Sequence, residues 1–215
     1  MKTTKTTATI TLLIAAALAM AACTPTAPTD PTTSPTASPT ATSTPTPAPG
    51  SIPTQEPVPV PTTQQEAITS ATQTIDNYLA ATFKVDADPQ LGAEYLAGFL
   101  VQGGPEQKVI ADTVAKNLEA GWSKSGTPSK WTTNDAMSYA SQSTNAATGE
   151  KFDLGAVVVY GCLDNSGWTL EGPGAPEVPK GSFPRQFTLI YEQTAQIWLV
   201  QESVSLTGQE GAPTC

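Results

Sequence analysis

The chain has 215 residues, with ten Lys and Arg against nineteen Asp and Glu, a formal net charge of -9, and no histidine. An acidic chain without a basic cluster lacks the positive footprint that nucleic acid demands, so nucleic acid is not an expected partner. Without histidine there is no Ser-His-Asp or Cys-His relay. The commonest zinc ligand and the near-neutral proton carrier are also missing, and nothing in the sequence calls for a cofactor or a metal.

Lys2 and Lys5 precede an apolar run from Ile10 to Ala22, the charged and hydrophobic parts of an export signal over residues 1–22. The run is too short for a membrane span, which takes about 20 apolar residues. At its end Met20, Ala21, Ala22 and Cys23 resemble a bacterial lipobox, with Met20 standing where the motif usually has Leu. The resemblance implies that Cys23 is acylated with chains such as palmitate and becomes the first residue of a lipoprotein. Its expected location is then the extracytoplasmic face of the cell membrane. The competing reading is ordinary secretory cleavage after Ala19-Met20-Ala21, with Cys23 left as a free thiol.

The cysteine count bears on that choice. The chain has Cys23, Cys162 and Cys215, and an odd cysteine in an exported protein calls for a special fate. Lipidation of Cys23 leaves one pair. A disulfide between Cys162 and Cys215 persists outside the cytosol. By restricting the unfolded chain, it contributes about 4 kcal/mol in the entropic account.

Residues 23–63 are almost entirely Pro, Thr, Ala and Ser after the cysteine and hold twelve of the chain's twenty prolines. With so few large apolar side chains the segment cannot bury a core, and a disordered stalk is expected. Stretched as polyproline II it reaches on the order of 100 Å. Losing Lys2 and Lys5 with the signal takes the formal charge of the mature chain from -9 to -11, which favours solubility and offers no electrostatic grip on anionic lipid.

The globular domain is expected over residues 64–215, long enough for one real core. In QQEAITSATQTIDNYLAATF, Ile68, Ala71, Ile75, Tyr78, Leu79 and Phe83 share a helical face. A second, shorter helix fits Gln90 to Val101. A third starts at Pro105, a residue suited to the first helical position, and closes at Gly121. β-Branched and aromatic residues then recur in runs bounded by turn residues, predicting strands near Trp131 to Ser141, Lys151 to Leu163, Phe183 to Glu192 and Gln196 to Leu206. Gln193 to Ala195 makes a hairpin of the last two, and Asp164 to Ser182 reads as a long loop. The expectation is an α+β domain, with three N-terminal helices packed on a curved antiparallel four-stranded sheet.

This element order, the YLAGFLV segment and the terminal strand carrying Trp198 resemble the nuclear-transport-factor-2-like superfamily, also called cystatin-like or SnoaL-like domains, over about Glu66 to Leu206. The resemblance implies a cone-shaped sheet around a pocket that different members use for catalysis, binding or assembly. It brings no catalytic motif and so does not choose among them.

Carboxylates remain as possible general bases. Glu202 is the first candidate, because a regular final strand puts it on one face with Trp198, Val200, Val204 and Leu206; Asp153 and Asp135 are weaker ones. The four tryptophans Trp122, Trp131, Trp168 and Trp198 are candidates for stacking on wall sugars, but Trp131 and Trp198 read as core, and Trp168 in the long loop stays open. The sequence therefore points to a lipid-anchored envelope module that binds or scaffolds, with an envelope protein or wall glycan as its partner. The alternative is a SnoaL-like pocket enzyme working through a buried carboxylate.

Overall fold

A computed structural model describes residues 51–145 and 148–215. The expected signal, Cys23 and the first part of the stalk lie outside the described residues.

Helix α1 (Gln64–Ala87) starts where the sequence provides a reciprocal cap. The Thr63 hydroxyl accepts the Glu66 N–H, and the Glu66 carboxylate accepts the Thr62 and Thr63 N–H groups at 2.8 and 3.2 Å. Such a cap contributes about 1 kcal/mol. Ala67, Ile68, Ala71, Ile75, Tyr78, Ala81 and Val85 recur at intervals of three and four and form the buried face. Helix α2 (Pro105–Ala120) begins at the expected proline and ends before Gly121.

The helix expected over Gln90 to Val101 is not formed. Two single 3-10 turns, Pro89–Leu91 and Ala93–Leu96, replace it. Gly92 stands between them at φ 75, a left-handed conformation that takes the chain out of helical phase at little steric cost. The chain then runs beside the last strand, with the Val101 N–H donated to the Val200 carbonyl and the Val200 N–H to that of Phe99.

Among the described residues seven strands follow: β1 (Ser123–Gly126), β2 (Lys130–Thr133), β3 (Tyr139–Thr144), β4 (Lys151–Asp164), β5 (Trp168–Glu171), β6 (Ser182–Glu192) and β7 (Ile197–Ser205). The main sheet is antiparallel in the order β2-β4-β6-β7, and β3 also pairs with β4. It thus has five strands where four were expected. The run expected as one strand from Trp131 is two, broken by a turn in which the Asn134 carbonyl accepts the Met137 and Ser138 N–H groups. β4 is long enough to hold both pieces, β2 against Gly161 to Asp164 and β3 against Lys151 to Val158. A separate two-stranded ribbon joins β1 to β5. β5 lies inside the segment expected to be loop. Both ribbon strands are only four residues long and mostly polar, which leaves no periodic signal to read.

The core lies between α1 and the inner sheet face. Val157 and Val159 of β4, Phe187, Leu189 and Tyr191 of β6, and Trp198 and Val200 of β7 alternate inward. Trp198 is fully buried and its indole N–H is donated to Ser70 Oγ at 2.8 Å. Gly161 occupies an inward position of β4 because a Cβ there would meet the Thr132 carbonyl and the Trp131 ring. That ring instead packs edge-on against Phe187 at 5.1 Å. Trp198 is thus a core residue, as expected, while Trp131 is partly buried and packs against the core.

Ordered packing begins upstream of Gln64. Gln55 donates its side-chain amide to the carbonyls of Gly98 and Trp198 at 2.7 and 2.8 Å. The Val58 N–H reaches the Gln196 carbonyl, and the Tyr191 hydroxyl is donated to the Val58 carbonyl. At the other end of the chain, Cys162 on β4 and Cys215 are brought together in disulfide geometry, with Cα atoms 5.7 Å apart. Among the described residues no helix is long and apolar enough to cross a membrane.

Candidate functional site

The inner sheet face extends past the apolar core, and there the second half of α1 and the first half of α2 stand off from it. The result is a cavity of about 220 Å³. Tyr78, Thr82 and Asp86 come from α1, Glu106 and Ile110 from α2, Leu163, Arg185, Phe187 and Ser203 from the sheet. Lys124 of β1, Ser129, Asn165 and Trp168 also line it. Four charged groups therefore face one space, and their partners decide what that space can do.

Glu106 sits in the first turn of α2, where the helix N-terminus favours negative charge. It is only 4% exposed, yet both oxygens are engaged. Oε1 accepts the Tyr78 hydroxyl at 2.7 Å, Oε2 accepts the Ser203 N–H at 3.0 Å, and Ser203 Oγ lies 2.9 Å from each oxygen. An acceptor-only carboxylate supplied with three donors is the condition under which a buried acid is tolerated.

Ser203 reaches Glu106 because β7 is bulged. Thr188 pairs with Glu202, but its neighbour Leu189 pairs with Val200, so Gln201 is an extra residue and the faces exchange. Trp198 and Val200 point inward before the bulge, while beyond it Ser203 is inward and Glu202 is exposed. The expected face joining Trp198, Val200 and Glu202 therefore does not exist, and Glu202 is a surface residue outside the cavity. Asp135 is exposed in the β2–β3 turn, and exposed Asp153 accepts the Gln142 side-chain amide at 2.8 Å. None of these three carboxylates lines the cavity.

Burial pushes the Tyr78 hydroxyl well above its ordinary pKa, and the charge and hydrogen bond of Glu106 push it further. Thr82 Oγ1 is buried and makes no hydrogen bond of good geometry, although it stands near enough to Tyr78 to oppose this rise slightly. A tyrosine whose folded pKa exceeds its unfolded value of about 10 stabilises the fold fully below that pH and progressively less above it. Stability is therefore expected to fall as pH rises from about 10. Tyr78→Phe should flatten that fall, leaving a smaller slope from Tyr191, whose pKa is raised by burial and by Glu192. Chemical denaturation at a series of alkaline pH values measures both slopes; identical slopes would refute the assignment.

Asp86, 4% exposed, accepts an ion pair from Lys124 at 2.6 Å. The same ammonium lies 4.0 Å from the centre of the Trp168 ring. Trp168 is 9% exposed, its N–H is donated to Ser129 Oγ at 2.9 Å, and its carbonyl accepts Lys180. The ring is thus covered by the chain's own cation, with little area left for a sugar. Trp122 is half-buried, its N–H bonded to the Pro173 carbonyl.

Arg185 is the remaining charge, and neither it nor Glu106 is among the site residues expected from the sequence. A usable signal existed for Arg185, the single arginine among ten basic residues. For Glu106 there was none, since a glutamate beginning a helix is commonplace. Among the described residues, no group of three or more His, Cys, Asp or Glu side chains is placed to hold a metal ion.

No protein-family model matches the sequence, and no curated protein matches it. A solved structure to which the fold is distantly similar is the crystal structure of the intermembrane space region of the chloroplast protein ARC6. The TM-score is 0.36 at 12% identity, covering 64% of this chain and 95% of that one.

Proposed function

We propose that this chain is an extracytoplasmic lipoprotein, held at the membrane by lipid on Cys23, whose stalk displays a nuclear-transport-factor-2-like binding module. The observation that carries the proposal is the juxtaposition of Cys162 and Cys215, 5.7 Å apart at Cα. Pairing them leaves Cys23, the cysteine next to the small residues of the lipobox, as the one left over. Two helices followed by an antiparallel sheet bent by bulges at Ser141 to Ser143 and at Gln201 support the cone-like domain.

Binding is favoured over catalysis by the state of the cavity's acids. A general base needs a lone pair within reach of the proton it removes. Glu106 is engaged at both oxygens by Tyr78 and Ser203, and Asp86 is held by Lys124. Glu202 and Asp153, the carboxylates expected to act as general bases, do not line the cavity, and the one that does beside a tyrosine, Glu106, serves the fold.

Membrane fractionation tests the anchor. The native protein is expected in the membrane fraction and in the detergent-rich phase, and Cys23→Ser in the soluble fraction with its domain still folded. A Cys23→Ser chain that stayed with the membrane through a high-salt wash would reject the proposal.

A further inference from the structure

Arg185 lies on the inner face of β6, opposite Gly161 on β4 and Ser205 on β7. The Trp131 ring fills the space over Gly161, so the room beside the guanidinium lies on the side of the short Ser205, with which it lines a cavity. Among the described residues no hydrogen bond or ion pair engages it, and it is half-buried. Lys124, by contrast, is already neutralised by Asp86. The Glu106 carboxylate shares the cavity with Arg185, but both Glu106 oxygens are engaged by Tyr78 and Ser203, so a ligand that gave the guanidinium a direct acceptor would be favoured.

Asn165 stands beside it in the same lining. Its Oδ1 accepts Ser129 Oγ at 2.8 Å and the Trp168 N–H at 3.4 Å. Two donors on that oxygen fix the orientation of the amide. The amide NH2 makes no hydrogen bond among the described residues, and Asn165 lines two cavities. Leu163, Asn165 and Arg185 also line a second cavity of about 210 Å³, whose other walls include Pro179, Phe183 and Pro184. The two spaces thus share their polar donors, and the second is mostly apolar.

We propose that Arg185 and Asn165 receive the carboxylate of a small organic monoacid, whose apolar body lies on Leu163, Phe183 and Pro184. A guanidinium fork matches the two oxygens of a carboxylate in a planar, bidentate pair. The adjoining cavity already holds the carboxylates of Glu106 and Asp86. A single negative charge therefore suits the site better than a dianionic phosphate does. The assignment rests on the binding-module reading and names the ligand class for it.

The test is calorimetric titration of the disulfide-intact exported protein with hexanoate, using hexanamide and inorganic phosphate as comparisons. Hexanoate is expected to bind, and hexanamide to bind at least about tenfold more weakly, the difference made by a charge-assisted hydrogen bond. Arg185→Gln should lose about the same factor, while Arg185→Lys keeps the charge and loses the fork, giving a smaller loss. Because no hydrogen bond or ion pair engages the Arg185 side chain among the described residues, the melting temperature of either variant without ligand should stay near that of the native protein. Equal binding of acid and amide, unchanged binding by Arg185→Gln, or phosphate preferred to hexanoate would overturn the assignment. If hexanoate failed while a neutral fragment bound in the same cavity, the acid site would be rejected and the binding module kept. If fragments of every class failed, both would be rejected.

Discussion

Glu106→Leu is expected to lower stability by about 4 kcal/mol, because it strips the acceptor from three donors at once. The Tyr78 hydroxyl, the Ser203 N–H and the Ser203 hydroxyl all converge on this side chain, which is 4% exposed. Each buried donor left without a partner costs about 1–3 kcal/mol, and the three share one site, so the sum is less than additive. The matching fall in melting temperature is on the order of 10 °C. Combining Glu106→Leu with Tyr78→Phe should cost less than the separate losses added together, because removing both members of a buried polar pair is milder than removing one. A Glu106→Leu loss within about 0.5 kcal/mol, the usual range for surface substitutions, would show that the carboxylate is not the link between α2 and β7.

The second large effect is expected from the cysteines. Cys162 and Cys215 are 53 residues apart in sequence, and closing a loop of that size removes about 4 kcal/mol of chain entropy from the unfolded state. Replacing both by serine should therefore lower stability by about that amount in denaturant titrations. The native protein should lose the same amount on reduction, while the double-serine variant should not respond to reductant. The folded C-terminus gives a local reason as well. Leu206 donates its N–H to the Pro184 carbonyl, and Pro213 is buried, but the intervening residues are mostly exposed. Without the bond, that tail has little apolar surface to hold it against β4. A native protein that lost less than about 1 kcal/mol on reduction would mean that the pair is not bonded or constrains nothing.

These two predictions mark where the sequence was legible and where it was not. Helices α1 and α2 and strands β4 and β6 are long and each carries a single clear period, and β7 carries one as far as Val200, so their existence and order could be read. The segment from Gln90 to Val101 also shows helical spacing, but Gly92 turns the chain and Leu100 is drawn to the edge of β7. Pairing across a sequence distance of 100 residues leaves no local trace. The same applies to the site. A regular strand would put Glu202 on one face with Val200, but one extra residue at Gln201 sends it to the surface. A one-residue slip exchanges every side chain between faces. Glu106 is buried by partners 28 and 97 residues away, so neither its neighbours in sequence nor its helical position announces it.

The central claim is that Cys23 carries the lipid that places this domain at the membrane. The most direct measurement is intact-mass and N-terminal peptide mass spectrometry of the mature protein recovered from membranes. The expected result is a chain beginning at Cys23 with a diacylglyceryl modification and no free thiol. A mature chain beginning at Ala22 after cleavage behind Ala19-Met20-Ala21, with Cys23 unmodified, would contradict it.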